Sequence, residues 1–386
     1  MSWPIKALSE VCYVQMGSAP KGETYVELDK GIPLIAGAAD YGEVFPRPKK
    51  ATTSPTKLCQ KGDLIICVRA TIGDLNWADK EYCLGRGVAG LRSKEELLPE
   101  YLFYFIKASE KELYKNATGS TFLQINRAII EQIEIPLPPL PIQKQIAAVL
   151  EKADNLRQQS QQMEEDLNSL AQSMFLDMFG DPIKNPKKWN RYQLASVTDR
   201  IIDCPHTTPK WTDTGVLCVR TSNLGKGEWL WGDTRFVDEK QFESRTSRSE
   251  VVEGDIILSR EGTVGIAAIV NENMRLCLGQ RLVQIRPDHN YLESDFLLYL
   301  LLFILKPERL TQVMAGSTVK HLNMKDIRAL EVIVPPLEEQ KNFEIKMRKL
   351  NQSRKQNKNQ MSELSNYFNS LMQRAFKGEL DLKDVA

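Results

Sequence analysis

Histidine is nearly absent, cysteine is scattered and no apolar run is long. Three histidines in 386 residues leave no His-rich metal site. The seven cysteines contain no CxxC pair, which argues against a disulfide or zinc framework and makes the cytoplasm the expected compartment. The longest apolar stretch, FLLYLLLFIL at 296–305, falls well short of the roughly 18 residues that cross a bilayer, so it reads as a buried helix and no membrane association is expected. The first residues, MSWPIKALSEV, lack the apolar core of a signal peptide. Charge of one sign is missing too. The net value of +1 is not that of a non-specific nucleic-acid binder, so any nucleic-acid contact must come from local patches or be shared with a partner. No P-loop, no GxSxG elbow and no amino-methyltransferase tetrapeptide of the form [ND]PP[FYW] occurs, and no catalytic, metal or cofactor residue is expected in this chain. PDHNYLESD at 287–295 reads as a turn before a helix, since the ExK of a nuclease pattern is missing.

What is present is written twice. KGDLIICVRATIG (61–73) matches EGDIILSREGTVG (253–265) at an offset of 192. CLGRGVAGLR (83–92) then matches CLGQRLVQIR (277–286), and ATGSTFLQIN (117–126) matches MAGSTVKHLN (314–323). IPLPPL and VIVPPL follow at an offset of 197, and SLAQSMF and SLMQRAF at 201. The order is kept throughout, which is the mark of internal duplication. Even the starts align, Trp3 with Trp189 and Leu8 with Leu194. The drifting offset puts small insertions in loops and about four extra residues, a stutter, in the last helix.

Each copy has a strand-rich part and a helical part. GDLIICV, GDIILS and GVLCVR read as strands, and PEYLFYFIKASEKELY and SDFLLYLLLFILKPERL as helices that follow them. After the prolines comes a long amphipathic run. In the first copy Ile142, Ile146, Val149, Ala153, Leu156, Met163, Leu167, Leu170, Met174 and Met178 recur at 3-4 spacing, with Ser160 the one polar residue in register. In the second copy Phe343, Met347, Leu350, Met361, Leu364, Phe368, Leu371 and Ala375 do the same, interrupted by Arg354 and Asn357. The expected fold is α+β: two repeated domains separated by two long antiparallel coiled-coil helices with pseudo-twofold internal symmetry. Helices of about 38 residues would span roughly 57 Å, and the prolines would be stiff joints at their starts. DPIKNPKKWNR (181–191) reads as the linker into the second domain.

The duplicated layout, IPLPPLPIQKQIAAVLEKAD and VPPLEEQ at the helix starts, MFGDPIKNPKKW after the first helix, and DCPHTTPKWTDTGVLCVRTSNL with EGDIILSREGTVG in the second copy resemble the specificity subunit of type I restriction–modification systems. The resemblance covers nearly the whole chain. One departure is PIQKQ, where such families often carry an acidic residue before the glutamine. The resemblance implies target-recognition domains at 1–140 and 181–336, a central conserved spacer helix at 141–180 and a distal one at 337–386. It also implies a non-catalytic subunit that reads a bipartite double-stranded DNA sequence, one half per domain, with the unspecified gap set by the helices. Two modification subunits would bring S-adenosylmethionine for adenine methylation, and restriction subunits would add ATP- and Mg-dependent translocation and cleavage. The alternative from another class is a structural adaptor whose two heads bind proteins; a further one is a nuclease with an unrecognised centre.

Reading bases needs side chains with hydrogen-bonding groups on loops, while phosphate contacts position the protein. The candidates fall in four repeated loops. The first holds Lys21 in one copy and His206, Thr207, Thr208 and Lys210 in the other. The second holds Arg220, Ser222 and Asn223. The third holds Arg69 and Thr71, set against Arg260, Glu261 and Thr263, with Glu261 not among the expected DNA contacts. The fourth holds Ser120, Thr121, Gln124 and Asn126, set against Ser317, Thr318, Lys320 and His321. The Gly-Ser-Thr runs suit a helix N-cap as well as a phosphate. Arg69 and Arg260 suit an ion pair as well as DNA, and Arg260→Ala is expected to weaken target binding without unfolding the protein. Trp229 and Trp231 fit either a core or an exposed edge.

Overall fold

The proline clusters each end a strand and start a helix. Pro136 closes the strand Glu134–Pro136 and the helix Leu140–Phe179 begins four residues later. In the second copy the strand Glu331–Val334 gives way to the helix Leu337–Lys377. Each of these strands pairs antiparallel with the first strand of its own domain, Ile5–Ala7 and Asn190–Gln193 respectively. The structure is a computed structural model that describes residues 3–119, 123–306, 308–309 and 321–380. Ser120, Thr121, Ser317, Thr318 and Lys320 lie outside the described residues.

One buried amide explains why the joint recurs. Gln143 is fully buried, its Nε2 donating to the carbonyls of Glu96 and Pro138, both at 2.8 Å. Its Oε1 accepts from the backbone N–H of Leu98 at 2.8 Å, and Leu98 is the N-cap of the helix Pro99–Ala108. Gln340 repeats this bond for bond. Its Nε2 donates to Tyr291 O (2.9 Å) and Pro335 O (2.8 Å), and its Oε1 accepts from Glu293 N (2.9 Å), the N-cap of the helix Ser294–Ile304. The glutamine thus ties the proline turn, the long helix and the domain's own helix into one joint, satisfying polar groups that burial would otherwise leave unpaired.

The chain divides into two units, 1–162 with 359–386 and 163–358, so the division falls inside both long helices. In the first unit, strands Cys12–Met16, Val88–Ser93, Leu64–Cys67 and Leu75–Trp77 form an antiparallel sheet in that order. In the second unit, Thr198–Asp203, Leu282–Pro287, Ile256–Ser259 and Ala267–Ile269 repeat it. The GD of each matched motif has a structural task. Asp63 is buried, receives Arg92 Nε at 2.7 Å and accepts from Gln60 N. Asp255 is buried, receives Arg286 Nε at 2.8 Å and accepts from Val252 N. A second sheet in each unit contains a parallel pair, Ile32–Ile35 with Tyr82–Leu84 and Val216–Val219 with Leu276–Leu278. The run Gly85–Gly90, GRGVAG, spells the GxGxxG pattern, which the sequence reading passed over. It joins the strands Tyr82–Leu84 and Val88–Ser93, with no helix N-terminus behind it, so it lacks the context that makes that pattern bind a dinucleotide.

Two helical expectations are corrected. PEYLFYFIKASEKELY is two helices, Pro99–Ala108 and Glu110–Asn116. Ser109 separates them, its hydroxyl bonding back to Phe105 O at 2.8 Å, the local competition that ends helices at serine. The extra residues in the last helix do not lengthen it: the two long helices have 40 and 41 residues. The first continues past Phe175 to Phe179, whereas the second stops one residue after Phe376.

The long helices pack antiparallel within each unit, as the repeat requires. In the first unit Ile146, Leu150 and Ala153 share a core with Phe368, Leu371 and Ala375. In the second unit Ala171, Phe175 and Phe179 share one with Phe343, Met347 and Leu350. There the Phe179 ring lies 4.7 Å from Phe296 and 5.5 Å from Phe343, edge to face, an arrangement favoured by aromatic quadrupoles. The buried face keeps Ile146 and Ala153 of the expected seam and extends one position on from it. Gln143, Ala147, Leu150 and Asp154 are inside, and Leu156, Met163 and Leu170 are about half exposed at 46%, 51% and 46%. The middle of the pair is polar. Asp154 is buried, bonded by Lys107 at 2.9 Å and Arg157 at 2.7 Å. Burial alone would raise its pKa, but the two cations outweigh it and hold the carboxyl below the usual range.

Replacing Gln143 or Gln340 by alanine leaves three backbone groups unpaired in a buried joint. At about 1 kcal/mol or more for each, we expect a loss of about 3 kcal/mol in chemical denaturation, at either position. Asp154, with its lowered pKa, stabilises the fold above the carboxylate's unfolded pKa and loses that contribution as pH falls through the folded value. Asp154→Asn should therefore lower the melting temperature at pH 7 and converge with the parent in acid.

Candidate nucleic-acid interface

The loops singled out in the sequence hang from the strand ends of the two sheets in each unit. In the first unit Ser18 N donates to Leu84 O and Gly17 N to Val88 O, both at 2.9 Å, while Ile125 N donates to Val68 O at 3.0 Å. These bonds gather the loops at 17–21, 68–71 and 85–88 with the segments 118–119 and 123–125. Gln124 bridges both Thr118 and Arg69. Thr71 and Gln124 are exposed and Arg69 is half-buried. Lys21 is exposed, 3.9 Å from Glu23. Asn126 is the N-cap of the helix Arg127–Glu131, its Oδ1 accepting from Ile129 N at 3.0 Å, so this side chain serves the helix.

In the second unit Cys204 N donates to Leu282 O at 3.1 Å, Gly279 N to Val219 O at 2.8 Å and Leu322 N to Arg260 O at 2.8 Å, the same scaffold with different letters. His206 is exposed and lies 3.1 Å from Asp203. Thr207, Thr208 and Lys210 are exposed. The backbone of Thr207 accepts from Arg245 at 3.2 Å, and both backbone groups of Lys210 are held by Gln241. Arg245, on the helix Glu239–Thr246, also reaches Leu278 O at 2.8 Å, and so fixes the loop from a residue that no sequence motif marks. His321 and Glu261 form a backbone bridge, their side chains 3.7 Å apart. Thr263 is exposed.

Two candidates, Arg260 and Asn223, are corrected by burial. Arg260 is buried, with Nε 3.1 Å from Asp203 Oδ1. The two are close enough to pair as charges, but neither atom has the alignment of a hydrogen bond. The guanidinium also donates to Leu322 O at 3.4 Å. Its task is to hold the loop base. Asn223 is buried as well. Its Oδ1 accepts from Arg220 N at 2.9 Å, and its Nδ2 donates to Leu230 O and Asp233 O. Ser222 beside it is exposed. Arg220 is paired with Asp233 at 2.5 Å and lies over the Trp211 ring at 5.7 Å. That guanidinium first, with Arg235 adding to it, keeps the Asp233 carboxyl below the usual range. Trp229 is half-buried and donates to Ile269 O at 2.7 Å, while Trp231 stacks on it with ring centres 5.2 Å apart and is 41% exposed. One ring is core and the other an outer edge.

The third loop is also realigned. At the constant offset of 192, Arg69 stands against Glu261 and Val68 against Arg260. The bridges Arg69–Gln124 and Glu261–His321 agree with this. Strict counting along the two matched motifs would have found it.

A family model for the type I restriction modification DNA specificity domain matches this chain twice, over residues 2–168 and 224–372. The chain belongs to that family. A type I restriction enzyme specificity subunit (MjaVIII) from Methanocaldococcus jannaschii is 23% identical over 88% of this chain and 84% of its own. A second, putative specificity subunit (MjaX) from the same organism is 34% identical, over 42% of this chain and 40% of its own. The EcoBI specificity subunit of Escherichia coli is 22% identical over 98% of this chain and 86% of its own. Among solved structures, the S subunit of a type I system from M. genitalium superposes with a TM-score of 0.59 at 17% identity, over 97% of this chain and 96% of that one. Specificity subunits are the non-catalytic members of type I complexes. No helix among the described residues is long and apolar enough to cross a membrane, and no group of three or more metal-ligating side chains occurs among them.

Because Arg260 is buried against the partly buried Asp203, Arg260→Ala should cost about 2 kcal/mol in stability, through lost packing and a carboxylate left short of its partner. Ser222→Ala should leave stability within about 0.5 kcal/mol. Denaturant titration of the two variants separates loop scaffold from loop face.

Proposed function

We propose that this chain is the DNA-reading subunit of a type I restriction–modification complex. It recognises a bipartite double-stranded target, the domain at 1–140 reading one half and the domain at 181–336 the other, with the long helices setting the gap. Two modification subunits dock on it and methylate adenine using S-adenosylmethionine. Restriction subunits add translocation and cleavage driven by ATP with Mg. The complex works in the cytoplasm.

The observation that supports this reading is the match of the specificity-domain family to both halves of one chain, together with loop-base hydrogen bonds that recur in both, Gly17–Val88 with Cys204–Leu282 and Ile125–Val68 with Leu322–Arg260. Two copies of one frame, each presenting different side chains at its loops, suit two different short sequences read by one molecule. The near-neutral charge fits a protein that draws part of its DNA affinity from partners.

The test is co-expression with a cognate modification subunit and mapping of adenine methylation across the host genome by single-molecule sequencing. A single two-part motif with a fixed gap is expected. An assembled complex that methylates no motif, and whose DNA binding shows no salt dependence, would replace this reading with that of a protein-binding adaptor.

A further inference from the structure

One pair of positions is built alike in both domains and filled with opposite charge. In the first, Arg69 and Gln124 form an isolated antiparallel bridge; in the second, Glu261 and His321 do. The flanking bonds match. Val68 N donates to Gly87 O at 2.9 Å, and Arg260 N to Arg281 O at 3.0 Å. The next residue is left-handed in both, Ala70 at φ 60° and Gly262 at φ 83°. Alanine is disfavoured there, and Ala70 is exposed, so no core packing calls for it. The same left-handed turn at the same place in both copies, adopted against local preference by Ala70 and freely by Gly262, marks a constrained site. It fixes the direction of the residue just before it, which is Arg69 or Glu261.

The surroundings differ as the charges do. The Arg69 guanidinium has no hydrogen bond or ion pair among the described residues. Glu261 sits between Arg281 and His321, its carboxylate 3.5 Å from Arg281 Nε and 3.7 Å from His321 Nδ1. Arg281, itself left-handed at φ 68°, stands where the first domain has Gly87. The second domain has therefore gained a carboxylate and an arginine that faces it. A carboxylate only accepts, and phosphates repel it, so on a DNA-facing loop it is of no use for backbone contact. The major-groove edge that offers a donor without an adjacent acceptor is the N4 amino group of cytosine, whereas an arginine fork matches O6 and N7 of guanine.

Resting on the reading of both domains as DNA-binding, we propose that this bridge position reads a base in each half-site. Arg69 takes a guanine in the half read by the first domain. Glu261 takes a cytosine in the half read by the second, with Arg281 offsetting its repulsion from nearby phosphates.

The experiment uses complexes with modification subunits, carrying the parent chain or Arg69→Gln, Arg69→Lys or Glu261→Gln. Each is titrated against the parent's methylation motif and against duplexes with one base pair changed at a time. Each Arg69 variant should lose discrimination, by roughly tenfold or more, at one G·C pair in one half. Glu261→Gln should do so at one G·C pair in the other half. All other positions should keep their discrimination. Arg69→Lys keeps the charge and loses the fork, so it should keep the salt dependence and lose the guanine. A uniform loss over all duplexes would make Arg69 a phosphate contact and overturn the assignment, as would an unchanged profile or losses confined to the same half. A parent complex that selects no duplex would remove the underlying reading and this assignment with it, so the two failures are distinguishable.

Discussion

The buried glutamine at the start of each long helix is the constraint on which the architecture depends. A helix that leaves a domain must be oriented by something stiffer than a loop. Proline removes the freedom of the approach, and one amide then joins the turn, the long helix and the N-cap of the domain helix. Each bond is ordinary; their enclosure makes them costly to lose, since no water replaces a missing partner. The same solution at Gln143 and Gln340, with the same three kinds of partner, shows that the duplicated proline motif encodes a joint.

Around that joint the repeat conserves geometry and lets chemistry vary. The Asp63–Arg92 and Asp255–Arg286 pairs, the parallel strand pairs and the loop-base hydrogen bonds recur. The loop faces do not. Where the first domain has Arg69 and Gly87, the second has Glu261 and Arg281. A scaffold that holds loops this firmly can change what they present without changing how they are held, which is how binding residues come to sit on loops over a rigid frame.

Much of this was legible in the sequence. Duplication, strand-rich domains, long helices and their antiparallel pairing followed from matched motifs and apolar spacing. The exact buried face of the helices did not. A strict 3-4 stripe and its neighbour one residue along lie side by side on the helix; Ile146 and Ala153 of the first are buried together with Leu150 of the second, and only packing decides that Leu150 goes in while Leu156 stays out. The loops were legible as places and poorly legible as residues. Asn223 and Arg260 have the right chemistry for DNA, yet their burial engages them in the loop base. Polarity in a sequence does not say whether a side chain's partner is inside or outside the protein. Glu261 lies on a loop that the sequence singles out, but a carboxylate alone repels phosphate, and only the structure shows Arg281 facing it at 3.5 Å.

The central claim is that each domain reads its own half-site on an independent copy of one frame. The most direct measurement replaces residues 1–140 with the corresponding domain of another family member, keeping the Gln143 joint and everything after it. The methylation motif of the assembled complex is then mapped. The account predicts a motif in which one half changes and the other half and the gap remain. A motif that changes in both halves, or keeps both, from a complex that still assembles would contradict it.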